Sequence, residues 1–149
     1  MNIYFTTGTT NFYSLYDIAV QVAIKYKVVY QGRCKYFSDN ILDSFEYDIS
    51  RHEYYLSWAD IIVTHAGAGN VYSMLDRSYR NVVVIPNLER SDKHQLELCL
   101  YLDKNQYLYT CHKLCDLPKF LENWPRGDKL MEYNKKQFDA KILYELIRY

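Results

Sequence analysis

The chain has 149 residues, enough for a single domain with a real core. Hydrophobic residues make up 49% and charged residues 24%, an ordinary globular composition. The 18 basic residues balance 18 acidic ones and form no block, which argues against nucleic acid as a partner. No apolar run approaches the ~20 residues of a spanning helix and the N-terminus lacks a signal-peptide pattern, so the expected location is the cytoplasm.

In chain order, Asn2 to Thr6 reads as a first strand rich in β-formers, followed by the small polar turn Thr7-Gly8-Thr9-Thr10-Asn11. Ser14 to Tyr26 predicts a helix, because Leu15, Ile18, Ala19, Val22 and Ala23 recur at helical spacing. Val28 to Tyr30 is a second strand ending at Gln31-Gly32, and Phe45 to Tyr47 a third. Arg51 to Ala59 predicts a short helix.

The stretch Asp60 to Leu75 organises the rest. Ile61, Ile62 and Val63 form a continuous apolar run, as in a parallel strand covered on both faces. His65-Ala66-Gly67-Ala68-Gly69 makes a turn, and Asn70 reads as the N-cap of the next helix. A glycine turn before a helix N-terminus is an anion-binding mouth, suited to a phosphate or diphosphate. His65, at the strand's carboxyl end, either donates a hydrogen bond to such a ligand or packs against backbone; the two glycines after it favour the ligand.

Val82 to Ile85 is a further strand stopped by Pro86. Ser91 or Asp92 caps a helix running to about Leu102, at whose start His94 and Gln95 offer donors and acceptors suited to sugar hydroxyls. Tyr107 to Thr110 predicts a last strand, and Leu117 to Trp124 and Lys129 to Tyr149 two closing helices. The last of these sets Leu130, Tyr133, Phe138, Ile142, Leu143, Leu146 and Ile147 among charges, an amphipathic face for its own domain or for a partner. Strands alternating with helices imply an α/β fold, a Rossmann-like parallel sheet with helices on both faces. Its three polar loops, 7–11, 65–70 and 87–95, should lie along one edge, where such sheets bind ligands. The Gly-x-Gly-x-x-Gly dinucleotide fingerprint is absent. Cys34, Cys99, Cys111 and Cys115 show neither a paired framework nor zinc spacing.

Ile3-Tyr4-Phe5-Thr6-Thr7-Gly8-Thr9-Thr10, Tyr55-Leu56-Ser57-Trp58-Ala59-Asp60, Thr64-His65-Ala66-Gly67-Ala68-Gly69 and His94-Gln95-Leu96-Glu97-Leu98, in this order and spacing, resemble the family-28 glycosyltransferase C-terminal domain over essentially the whole chain. The form resembled is the stand-alone one, the donor-binding subunits of dolichol-pathway and of bacterial capsule and exopolysaccharide transferases. Glu89, five residues before His94, is most similar to the bacterial branch.

The resemblance implies the C-terminal half of a GT-B enzyme, a single domain over 1–149. It would hold a UDP-sugar and pass the sugar, with inversion, to a lipid-diphosphate-linked acceptor in polysaccharide assembly. The acceptor half would be a membrane-associated partner subunit that keeps this chain at the inner face of the membrane; in isolation a homodimer is a further expectation. By resemblance, Gly8, Thr9, His65, Gly67, Ala68, Gly69 and Asn70 face the diphosphate. Asp48 and Ile49 meet uracil, His94 and Gln95 read the donor sugar, and His65 and Glu89 are the catalytic candidates. No cofactor or metal is expected, since the chain lacks an Asp-x-Asp motif and a helix terminus would neutralise the leaving group. Where some relatives place a ribose-binding glutamate, this chain has Ser73. A non-catalytic subunit that stabilises a partner transferase is therefore the alternative.

Overall fold

A computed structural model describes residues 1–134. Its elements are β1 (Asn2–Thr6), α1 (Tyr13–Val22), β2 (Lys27–Gln31), β3 (Asp43–Phe45), α2 (Ile49–Trp58), β4 (Ile61–His65), α3 (Ala68–Asp76), β5 (Val82–Ile85), α4 (His94–Asn105), β6 (Tyr109–Thr110), a 3₁₀ turn (Leu114–Asp116) and α5 (Leu117–Glu122). All six strands are parallel, in the order β3-β2-β1-β4-β5-β6. This is the doubly wound arrangement, whose order reverses between β1 and β4.

Side-chain alternation along each strand builds two cores. Ile3, Phe5, Val28, Tyr30, Ile61, Val63, Val83 and Ile85 face α1 and α5, packing on Leu15, Tyr16, Ala19, Leu117 and Leu121. Tyr4, Val29, Ile62, Val82 and Val84 face the other way, onto Leu56 of α2, Val71, Met74 and Leu75 of α3, and Leu98, Cys99 and Leu102 of α4. With both faces covered, the central strands have no solvent side, which is why Ile61 to Val63 and Val82 to Ile85 carry no polar alternation.

Several boundaries differ from the sequence expectation. α1 stops at Val22 rather than Tyr26, because the Lys25 and Tyr26 amides turn back onto the Val22 carbonyl so that Lys27 can pair with Asn2. β3 lies two residues early: Leu42 already donates to the Val28 carbonyl, and Asp43 pairs with Val29. α2 starts at Ile49 since Asp48, in extended conformation, caps it through Arg51 N–H at 2.8 Å.

α3 starts at Ala68 with Gly67 as its N-cap, so Asn70 sits inside the first turn and does not cap it. α4 starts at His94 after Lys93. The helix expected from Lys129 does not begin there. Residues 126–134 are irregular, held where Met131 N–H donates to Gln106 and Arg80 to the Met131 carbonyl, with Tyr133 against Tyr72 and Tyr107. That part packs on its own domain; Phe138, Ile142, Leu143, Leu146 and Ile147 lie outside the described residues. No helix among the described residues is long and apolar enough to cross a membrane.

Candidate functional site

Because the strands are parallel, every strand-to-helix loop opens on the same edge. The loop after β1 is fixed by one buried side chain. Gln31, at the end of β2, accepts from Thr6 Oγ1 (2.6 Å) and from Gly8 N–H (2.9 Å), and its Nε2 donates to the Gly8 carbonyl (2.7 Å). One amide thus satisfies both backbone groups of Gly8, which holds φ +59°, a conformation glycine adopts at no steric cost.

Asn87 does the same for the loop after β5. It is fully buried; its N–H donates to Gln95 Oε1 (2.9 Å), its Nδ2 to the Asn11 carbonyl (2.8 Å), and its Oδ1 accepts from Glu89 N–H (3.1 Å). The loops after β1 and β5 are therefore tied to each other and to the first turn of α4. Sequence reading noticed neither role: Gln31 stood out only as a strand end, and Asn87 as one polar residue of a loop.

Between these loops His65 ends β4. Its ring is buried, at 5% exposure, and Nδ1 has no hydrogen-bond partner. Burial pushes the imidazole down to about 4, the Thr6 backbone acting in the opposite sense and the Arg90 charge adding to the depression; the ring is neutral at physiological pH. A Cβ at residue 67 would lie 2.3 Å from His65 Nε2, so glycine is required there because the ring already occupies the space of its side chain. At Gly69 the equivalent position meets nothing within 4 Å. The tight glycine is thus the first of the pair.

His65, Ala66, Gly67 and Ala68 form one wall of a cavity of about 260 Å³ whose other walls are Thr10, Tyr72, Arg90, Asp92, His94, Gln95 and Leu98. Gln95 spends Oε1 on Asn87 and keeps Nε2 for a ligand. His94 Nδ1 is buried without a hydrogen-bond partner, 3.6 Å from Glu97 Oε2. Gly8, Thr9 and Thr10 line a smaller hollow of about 120 Å³ over β2 and β3, with Gly32, Arg33, Glu46 and Tyr47. Asp48 and Ile49 are exposed beside Tyr47 at the start of α2. From β3 to β4 is three interstrand steps, about 14 Å, the reach of an extended nucleoside diphosphate. Asn70 bonds Thr64 through its side chain, and Ser73 is exposed on α3, away from the cavity. Thr10, Tyr72, Arg90, Asp92 and Leu98 also line the cavity, though none of them was expected among the ligand-binding residues.

Glu89 occupies neither the cavity nor a free position. Its carboxylate accepts from Tyr13 N–H (3.1 Å), Ser14 N–H (2.8 Å) and the Ser14 hydroxyl, at the N-terminus of α1. Partial burial pushes this carboxyl up, but the Ser14 and Tyr13 donors and the Lys35 charge outweigh it and hold it below the usual range. Among the described residues no three His, Cys, Asp or Glu side chains gather to hold a metal ion.

Comparison with known proteins agrees with this geometry. The family model of the glycosyltransferase family 28 C-terminal domain matches residues 3–146. Over 96 residues the chain is 30% identical to the UDP-N-acetylglucosamine transferase subunit ALG13 of Cryptococcus neoformans, a match covering 61% of this chain and 48% of that protein. With the human protein of the same name it shares 37% over 73 residues, 46% of this chain and 6% of the other. The matches thus span about half the length of the Cryptococcus relative and a small part of the human one. The fold is that of the solution NMR structure of ALG13, with a TM-score of 0.58 at 13% identity, covering 98% of this chain and 94% of that one. The chain belongs to the glycosyltransferase family 28 C-terminal domains.

Proposed function

We propose that this chain is the donor-binding, catalytic subunit of a two-component inverting glycosyltransferase. It moves a sugar from a UDP-sugar to a lipid-diphosphate-linked acceptor in polysaccharide assembly, and a membrane-associated subunit supplies the acceptor side. Family membership supports the glycosyl-transfer class. The relatives' name, a transferase subunit for UDP-N-acetylglucosamine, makes N-acetylglucosamine the first sugar to test and a second subunit the expected partner.

The observation that carries the reading is a difference among helix starts on the binding edge. α1 receives the Glu89 carboxylate and α2 is capped by Asp48, whereas α3 and α4 receive no side-chain cap. Of these two, α3 is the one at the β1–β4 switch point, with Gly67 and Ala68 on the wall of the cavity. The N–H groups of Ala68, Gly69 and Asn70 have no intrahelical partner and, with the helix dipole, suit a diphosphate.

In the reaction the acceptor hydroxyl attacks the anomeric carbon as the bond to the diphosphate oxygen breaks. Negative charge grows on that oxygen, so donors fixed there favour the transition state over the bound donor. One such donor is worth about 3 kcal/mol. His65, neutral, adds a ring nitrogen without repelling the anion, and Gln95 Nε2 and His94 read the sugar. Glu89, engaged by α1, positions the loop, and the general base comes from the partner's side.

Titration of the isotope-labelled chain with UDP and UDP-N-acetylglucosamine tests this. Amide shifts should concentrate at residues 65–70 and 8–10; saturating nucleotide that leaves these amides unmoved would overturn it. The accessory reading draws on Ser73, which stands off the cavity. Under it the assembled complex turns over normally when residues 65–70 are altered.

A further inference from the structure

Among the residues lining the 260 Å³ cavity, Arg90 is the sole Lys or Arg; in the sequence it is one residue of the charged run from Glu89 to Gln95. Its guanidinium bonds Asp92 Oδ2 through Nε at 3.0 Å, with the arginine side chain about half exposed. Thr10 and Arg90 also line a second, open hollow of about 540 Å³, with Thr9, Asn11, Tyr13 and Glu89. Arg90 therefore stands on the ridge between the two hollows, across from the uncapped start of α3 and the buried, unpartnered Nδ1 of His65. Of the other cations of this edge, Arg33 pairs with Glu46 in the hollow over β2, Lys35 lies over the Tyr13 ring, and Lys93 is exposed ahead of α4 without lining the cavity.

The reach of the α3 start shows what the cavity lacks without Arg90. That start offers about half a positive charge and three free amides, enough for one phosphate group. A second phosphate, extending toward the sugar readers His94 and Gln95, lies past those amides and takes its partner from the other wall, where Arg90 is the cation. A guanidinium presents a planar fork of N–H donors that fits a phosphate bidentately. The Asp92 contact is an exposed ion pair of little net worth in water, so exchanging it for a phosphate costs little.

Resting on the nucleotide reading above, we propose that Arg90 binds the terminal phosphate of the donor's diphosphate, the group on which charge grows as the sugar departs, and so makes the cavity select nucleoside diphosphates over monophosphates. Asp92 holds the guanidinium in place until the nucleotide arrives.

The test is calorimetric titration of the full chain and of R90Q and R90K with UDP, UMP and uridine at two salt concentrations. R90Q should weaken UDP ten- to thirty-fold, leave UMP and uridine within twofold, and lower the salt dependence of UDP binding. R90K should fall between, keeping the charge but not the fork. Because Arg90 is exposed and bonds only its own loop, an unchanged melting temperature shows that R90Q is folded. Equal losses for UDP and UMP, or no loss, would overturn the Arg90 assignment while leaving the nucleotide site standing. A wild-type chain that binds none of the three removes both.

Discussion

Gly67→Ala isolates the relation between the glycine turn and His65. The backbone at 67 has φ −77° and ψ 126°, which any residue adopts, while alanine is a poorer N-cap than glycine by about 0.5–1 kcal/mol. The cost beyond that, which depends on His65, is steric. The new Cβ would lie 2.3 Å from His65 Nε2, 2.9 Å from Cε1 and 3.0 Å from Cδ2, along one whole edge of a ring that is 5% exposed. The ring must move by several tenths of an ångström within a packed site, and overpacking of this kind costs about 1–3 kcal/mol. For a domain of this size that lowers the melting temperature by roughly 3–10 °C.

The assay is a double-mutant cycle by urea unfolding, with Gly67→Ala made alone and in a His65→Ala background. With the ring gone only the capping cost should remain, so the coupling energy should equal the steric part of the single-mutant cost, about 1–3 kcal/mol. UDP binding should be weak in all three variants, since the first displaces the imidazole and the others lack it. An equal cost of Gly67→Ala in both backgrounds, or no cost in either, would refute the claim that His65 occupies the residue-67 side-chain space.

Three further outcomes follow from the same contacts. His65 titrates near 4 in the fold and near 6.5 when unfolded, so between those values the unfolded chain binds more protons and stability falls as pH drops from 6.5 toward 4. The full effect is on the order of 3 kcal/mol; urea midpoints across this window should show the slope, and His65→Asn should flatten it. Glu89→Gln removes a charged acceptor from the start of α1 and should cost about 1 kcal/mol of stability while turnover of the assembled enzyme stays within a few-fold. A hundred-fold loss of turnover would instead make Glu89 the general base. Gln31→Leu leaves Gly8 N–H and C=O without their shared partner and should cost on the order of 2 kcal/mol, with Gly8 amide exchange accelerating well before global unfolding.

The sheet was legible because its signals are local and repetitive. Ile61 to Val63 and Val82 to Ile85 are short apolar runs with a turn at each end, and a strand buried on both faces produces that pattern. The edge carrying the site followed from parallel topology alone. The errors fell where a contact between distant residues decides the outcome. Asn70 has the chemistry of a cap, yet the chain has already turned helical at Ala68 because the His65 ring closes the slot at Gly67. Glu89 looks like a free acid in a charged loop, and only the fold brings the start of α1 to it, 75 residues away in sequence. Arg90 lies in the charged run from Glu89 to Gln95, where nothing local sets it apart: a charge in a polar loop has no periodicity, and its worth depends on which wall of the cavity it meets.

That His65 fills the place of a cap side chain bears on why the site binds anions at all. Aspartate at an N-cap satisfies free amides and stabilises a helix by a few tenths of a kcal/mol over glycine. Here it would also put a negative charge where the phosphate must sit, cancelling the dipole. The imidazole takes up the space of that side chain and stays neutral, since burial holds it near 4. The α3 amides are left aimed at the cavity with their partial charge intact. The fold thus forgoes a cap at the one helix start where a cap would compete with the ligand, while α1 and α2, on the same edge, keep theirs.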